Sequence, residues 1–215
     1  CSSQGWAVEI IAINDGSRYT SWEVISQRAA AHPHIIAINL LRNYGQHTAV
    51  LCGIAQSRGA YVVTMDDDLQ NPPEEIVHLV TQAQAGHDVV FGRYRHKQHA
   101  GYRRLGSRII DAVNTRIFHK PADLTLTNFR LIRRDVVTRM LAYRTHAPYI
   151  QGLALMFAAR PGNVWVEHHP RRVGHSTYST MKILQLVMRI LFSYSLYPLR
   201  VVSAAGLGIA GVSFV

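Results

Sequence analysis

Cysteine is scarce in this chain of 215 residues: Cys1 and Cys52 are the only two. One pair excludes a disulfide framework, and its spacing matches no zinc site, so a reducing, cytosol-facing location is expected. Acids are in short supply as well, with 13 Asp and Glu against 23 Lys and Arg, a formal net charge of +10. That balance favours an anionic partner: nucleic acid, anionic lipid headgroups or phosphorylated small molecules. No charged segment followed by a small-residue cleavage site opens the chain, so no signal peptide is visible. No internal repeat or low-complexity tract stands out. The length suits one sizeable α/β domain with a short appendage. Because the chain starts without Met and stops inside an apolar stretch, it reads as a fragment.

What is present alternates. Val8 to Asn14 is a short apolar run ended by Asp15-Gly16-Ser17, a strand feeding a turn. Residues 21–31 read as a helix stopped by Pro33, 35–41 as a strand and 46–57 as a helix. Residues 60–65 form a third strand that runs directly into Asp66-Asp67-Asp68. Pro72-Pro73-Glu74-Glu75 then opens a helix, with proline and acids in its first turn. Val89 to Phe91 is a fourth strand, and a final strand pair is expected around Val164-Trp165-Val166. Between them, Arg93 to Arg139 is arginine-rich and less periodic. Strands alternating with helices predict a mostly parallel sheet covered on both faces. Ligands of such sheets bind at the carboxyl ends of the strands, where both acidic turns fall.

The tail differs in character. Between Met181 and Tyr197 the polar residues Lys182, Gln185, Arg189 and Ser193 fall at steps of three and four, and nearly everything else is apolar. A helix lying in a membrane interface has this pattern; a buried core helix with one solvated edge is the plainer reading. Pro198 is expected to break that helix. From Val201 to Val215 the chain is uncharged, as the start of a truncated transmembrane segment would be. Arg189 and Arg200 place its amino-terminal side in the cytoplasm. Gly206-x-Gly208-x-x-Gly211 matches a dinucleotide fingerprint by letter, yet it lies in this apolar tail with no room for the required helix and acid.

Three adjacent carboxylates repel one another, and a cation or a hydrogen-bonding ligand offsets that cost. Asp66 and Asp68, two apart in an extended chain, point to one side. Their hard oxygens suit Mg²⁺ or Mn²⁺, which also bind pyrophosphate oxygens. The amide oxygen of Gln70 completes the candidate metal set. Asp67 faces the other way, toward a ribose or base. Capping of the following helix is the bland alternative, but three acids exceed what a cap needs. The 12 histidines include no His-Glu-x-x-His, and neither His32-Pro33-His34 nor His168-His169 has a supporting ligand pattern.

Met65-Asp66-Asp67-Asp68-Leu69-Gln70-Asn71-Pro72-Pro73-Glu74-Glu75-Ile76 resembles the Asp-x-Asp segment of family 2 glycosyltransferases. Within them it is most similar to the polyprenyl-phosphate glycosyltransferases, the group of dolichyl-phosphate mannose synthase and the bacterial undecaprenyl-phosphate sugar transferases. Arg42-Asn43-Tyr44-Gly45-Gln46-His47-x-Ala49 resembles the loop and helix before that motif, particularly in enzymes that transfer aminoarabinose. Ile13-Asn14-Asp15-Gly16-Ser17 matches the nucleotide-binding turn, and Arg171 with Gly174-x-Ser176-x-Tyr178 resembles an Arg-x-x-Gly-x-Ser-Lys-Tyr segment. The family's first strand, with its Pro-x-Tyr-Asn-Glu segment, is missing, Thr177 stands where lysine is usual, and residues 123–130 fit an Asp-(x)-Phe-Arg pattern only loosely.

The resemblance implies an α/β, GT-A-type, Rossmann-like, mostly parallel sheet with flanking helices over 1–180. An interfacial amphipathic helix over 181–198 and the start of a transmembrane helix over 199–215 follow. It implies inverting, metal-dependent transfer from a nucleotide diphosphate sugar, a UDP-sugar rather than a GDP-sugar, to a polyprenyl phosphate at the cytoplasmic membrane face. Asp15, Gly16, Ser17, Asn43, Gly45, Asp66 and Asp67 would hold the nucleotide sugar, and Asp66, Asp68 and Gln70 the Mg²⁺ or Mn²⁺. Arg93, Arg103, Ser107, Arg171 and Ser176 would grip acceptor phosphate, with Asp68, Arg103 and Arg171 catalytic and Arg104, Arg130 and Arg172 as competitors. A processive polysaccharide synthase is disfavoured because no Gln-x-x-Arg-Trp occurs. The acidic centre and apolar tail fit a nucleic-acid-binding module poorly. A non-catalytic membrane scaffold and a glycosyltransferase with a non-lipid acceptor stay open.

Overall fold

The computed structural model describes residues 5–17, 19–94, 101–170 and 180–213. In chain order the elements are β1 (Ile10–Asn14), α1 (Ser21–Ala31), β2 (Ile35–Asn39), α2 (Gln46–Gln56), β3 (Tyr61–Thr64), a 3₁₀ turn (Pro73–Glu75), α3 (Ile76–Gln84) and β4 (Val89–Tyr94). There follow α4 (Gly101–Phe118), β5 (Arg130–Arg133), α5 (Arg134–Ala142), α6 (Ile150–Phe157), β6 (Pro161–Val166), α7 (Thr180–Tyr194) and α8 (Tyr197–Ser213). They group into two compact units. One comprises residues 1–97, 123–144 and 148–174; the other comprises 98–122, 145–147 and 175–215.

In the first unit, β1 and β2 share the sequence Ile-Ile-Ala-Ile-Asn and pair in parallel, each residue opposite its counterpart. Branched side chains fit this pleated surface well. Asn14 and Asn39 close the ladder through a side-chain hydrogen bond of 2.8 Å. A second sheet has the order β3-β5-β4-β6, with β4 and β6 parallel and β5 antiparallel to both its neighbours. The sheet is therefore mixed, not simply parallel. β5 escaped the sequence pattern because Leu131-Ile132 is flanked by Arg130 and Arg133. Composition argues that such arginines are exposed, but Arg130 is buried. The strand pair expected near Val164 is a single strand, β6, running beside β4.

Helix α3 lays Leu79, Val80 and Ala83 on one face of the second sheet, against Val90, Phe129, Leu131 and Val166. Helix α5 packs against β3 and β5 and contributes buried Val136, Val137 and Met140. Burying each such side chain stabilises the unit by roughly 1.5–3 kcal/mol. This packing fixes the carboxyl end of β3, from which the three aspartates emerge.

The second unit is helical. Helix α4 packs against α7, with Gly106 so near Ile183 that a Cβ there would lie 2.6 Å from its Cδ1. Phe118 meets Tyr194 edge-on at 5.2 Å, and Lys120 pairs with Asp111 at 3.2 Å. Helix α7 ends at Tyr194, earlier than Pro198, which is the second residue of α8. In that first turn the missing N–H is no loss, so Pro198 begins a helix instead of breaking one. Among the described residues no single helix is long and apolar enough to cross a membrane. Ile183–Tyr194 and Tyr197–Gly211 reach that length and apolarity only together, bent by 79°.

Candidate active site

Two turns at strand ends build the site. After β1, Gly16 adopts φ +66°, and a Cβ there would lie 2.6 Å from the backbone nitrogen of Asn43. Only glycine allows the turn to press so closely on the loop before α2. Asp15 then holds that loop: its carboxylate accepts the backbone N–H of Tyr44 at 2.7 Å and of Gly45 at 2.9 Å. The Asn43 amide donates to the Asp15 carbonyl at 2.8 Å, and the Ser17 N–H and hydroxyl both donate to Asn14 Oδ1. In this arrangement Asp15 and Asn43 shape the loop before α2.

After β3, Asp66 and Asp68 are half-buried and Asp67 is exposed, the alternation expected from their spacing. Leu69 adopts φ +58°, an uncommon conformation for a side chain of this size and one often kept for function. Asp68 Oδ1 accepts the backbone N–H of Gln70 at 3.2 Å. The Gln70 amide nitrogen lies 3.3 Å from both His168 Nε2 and the carbonyl of His169. The His169 N–H donates to the Gln70 carbonyl at 2.9 Å. Residues 168–169 thereby clamp the aspartate turn.

Asp66 joins the two turns. Gln46, the first residue of α2, donates to its Oδ1 at 2.6 Å, and Asn128 donates to its Oδ2 at 3.2 Å. Beneath it, Arg130 is buried, with Nε bonded to the Thr64 hydroxyl at 3.1 Å and Nη1 to the Thr127 carbonyl at 3.3 Å. Burial pulls the Arg130 guanidinium down to about 10, partly opposed by Tyr149, Asp66 and Tyr94. Burial likewise pushes the Tyr94 phenol up to about 12, aided by the charges of Asp66 and Asp68. Tyr94 also stacks on His168 with ring centroids 4.0 Å apart.

Asp15, Asn43, Gly45 and Asp66 are thus brought together by hydrogen bonds, with Gln46 as the link, and Gly16 lies against Asn43. Arg93 is exposed, its guanidinium 4.5 Å above the Trp165 ring. Ser107 is an exposed residue of α4 in the other unit. The Arg103 and Arg104 side chains and residues 171–179, which include Arg171, Arg172, Ser176 and Thr177, lie outside the described residues. Arg130 is no surface phosphate clamp but an internal counter-charge. Gln151 and Tyr94 carried no sequence signal, because a neutral amide and a lone tyrosine form no pattern; Asn128 falls in the segment 123–130, whose fit to the family's Asp-(x)-Phe-Arg pattern is loose.

Among the described residues no group of three or more His, Cys, Asp or Glu is placed to hold a metal ion. The donor set still fits Mg²⁺ or Mn²⁺ in part. Two half-buried carboxylates two residues apart are hard oxygen ligands, and such ions commonly take their remaining ligands from phosphate and water.

The sequence model described as Glycosyl transferase family 2 matches residues 3–145. The chain belongs to that family. A Pseudomonas fluorescens protein named undecaprenyl-phosphate 4-deoxy-4-formamido-L-arabinose transferase is 37% identical over 99% of this chain and 62% of its own length. A Pseudomonas aeruginosa protein of the same name is 39% identical, covering 100% of this chain and 63% of that protein. The chain thus spans just under two thirds of these curated relatives. In fold it is similar to glucosyl-3-phosphoglycerate synthase from Mycobacterium tuberculosis, solved with Mn²⁺, UDP-glucose and phosphoglyceric acid. That likeness has a TM-score of 0.57 at 19% identity, over 84% of this chain and 67% of that one. S. aureus TarS 1-349 in complex with UDP-GlcNAc gives 0.53 at 15% identity, over 86% and 58%. The fold is GT-A-like, with a mixed sheet and flanking helices.

Proposed function

We propose that this chain is the catalytic part of an enzyme that moves a sugar from a UDP-sugar to a polyprenyl phosphate, with inversion, at the cytoplasmic membrane face. The observation that carries the reading is the joining of the Asp15 turn and the Asp66–Asp68 turn through Gln46. A nucleotide would lie along the first turn and its pyrophosphate at the second. The names of relatives 37–39% identical over nearly the whole chain support the lipid acceptor.

The acceptor phosphate is anionic near neutral pH, so the reaction needs no strong general base. Its difficulty is electrostatic, since two phosphate-bearing molecules must meet and a pyrophosphate must leave. Asp66 and Asp68, with Gln70 as a third donor, would hold a divalent ion, which supplies positive charge to the leaving group. Arg93, Arg103, Arg171, Ser107 and Ser176 are assigned to the acceptor phosphate, where guanidinium forks match phosphate oxygens. Full-length protein given a UDP-sugar and undecaprenyl phosphate is expected to form a lipid-linked sugar of inverted anomeric configuration, read by NMR. A product that retains the donor's configuration would overturn the single-displacement reading.

Helix α7 supports membrane association. Ile183, Val187 and Ile190 are wholly or partly buried, whereas Met181, Leu184, Met188 and Phe192 form a second apolar stripe open to solvent. Phe192 is 65% exposed and Leu184 54%. Exposed apolar rows of this kind, bordered by Arg189, suit an interfacial helix. Leu184→Asp with Phe192→Asp is expected to weaken flotation with anionic phospholipid vesicles by more than about tenfold. Circular dichroism should be unchanged, because neither side chain is buried. Unaltered flotation would remove α7 from the membrane interface.

A further inference from the structure

The Asp66 carboxylate meets neutral amides on both oxygens, Gln46 on one and Asn128 on the other. Asn128 is itself engaged, because its Oδ1 accepts the Gln151 amide at 3.0 Å. Its main-chain carbonyl accepts the Thr64 hydroxyl at 2.7 Å. Gln151 sits in the first turn of α6. Its Oε1 is buried with no hydrogen-bond partner among the described residues, an unfavourable arrangement.

The direction of this chain follows from its first member. An ionised carboxylate only accepts hydrogen bonds, so Asn128 must turn its NH₂ toward Asp66. Its oxygen then faces Gln151, which must present its own NH₂ in turn. The orphaned Gln151 oxygen is therefore the far end of a polarity set by a charged Asp66. Had Gln151 turned round, its oxygen would oppose that of Asn128, and Asn128 would lose the partner that fixes its rotation. The donor chemistry also matters. A lysine or arginine bonded directly to Asp66 would cancel the charge a cation needs, while amides orient the carboxylate and leave its charge in place.

We infer that Asn128 and Gln151 are positioning residues that lock the ionised Asp66 carboxylate in the orientation required by a divalent ion and pyrophosphate. Gln151 acts from a distance, by holding the Asn128 amide in the orientation that Asp66 sets. This rests on the proposed function, since it needs the ion and nucleotide at Asp66.

A double-mutant cycle tests it. Mn²⁺ binding in the presence of UDP is measured by electron paramagnetic resonance in the full chain, for wild type, Asn128→Ala, Gln151→Met and the double variant. Thermal unfolding is followed in parallel. Losing an orienting partner behind a metal ligand typically costs about 10–100-fold in metal affinity. Asn128→Ala should therefore weaken Mn²⁺ about tenfold, and Gln151→Met several-fold, with cooperative unfolding kept. In the Asn128→Ala background Gln151→Met should have no further effect, because the route through Asn128 to Asp66 is gone. Additive losses, or wild-type affinity in Gln151→Met, would overturn the inference while leaving the proposed function intact. No Mn²⁺–UDP binding in wild type would overturn both.

Discussion

Replacing Asp68 with alanine in the full-length protein is expected to lower the rate of sugar transfer by about a thousandfold, in the range seen when preorganised stabilisation of a leaving group is lost. Asp68 plays two parts here. Its Oδ1 accepts the Gln70 N–H and so shapes the turn, and its charge would offset that of the proposed cation. Asp68→Asn separates them, because the asparagine oxygen can still accept the N–H while the charge is gone. On the electrostatic account Asp68→Asn is nearly as inactive as Asp68→Ala. Full activity in Asp68→Asn would mean that the residue serves only the turn.

Arg130→Ala is expected to destabilise the chain by roughly 4 kcal/mol, lowering the midpoint of thermal unfolding by about 10 °C. The side chain is 2% exposed. Its removal leaves the Thr127 carbonyl without this donor, empties a cavity and strips the Thr64 hydroxyl of the donor at 3.1 Å. Arg130→Met refills most of the space and relieves the cost of burying a charge, so its loss should be about half as large. Urea denaturation of both variants checks the order. In each of them transfer should also fall, since Asp66 no longer has a cation beneath it. A fully stable Arg130→Ala would contradict the packing described for β5.

Much of the first unit was legible in its sequence. The helices at 21–31 and 46–56 and the strands at 10–14, 35–39, 61–64 and 89–94 lie where apolar period and turn residues put them. They are local elements of an alternating α/β pattern, several of them flanked by Gly, Pro or Asp. β5 was not legible, because its pairing partners are remote in sequence and its arginines mimic a surface segment. Pro198 misled for a related reason: it marks a helix boundary without saying on which side the helix lies. The site divides in the same way. Asp15 and Asp66 to Asp68 are conspicuous because a basic chain clusters acids only where charge has a use. Gln46, Asn128 and Gln151 are distant in sequence and uncharged, and only folding brings the first two to the Asp66 carboxylate and the third to Asn128.

The proposed role of the Asp66–Asp68 turn, completed by a divalent ion, is to hold the pyrophosphate of a nucleotide sugar. It is tested most directly by thermal unfolding of the full-length protein with UDP, with Mn²⁺ and with both, in wild type and in Asp66→Ala/Asp68→Ala. Ligand at about 100 times its Kd stabilises a protein by about 2.7 kcal/mol. For a chain of this size that is a rise of roughly 5–10 °C. The rise should appear in wild type only when UDP and Mn²⁺ are present together, and it should vanish in the double variant. An equal rise in the double variant, or a wild-type response to UDP that ignores Mn²⁺, would contradict the claim.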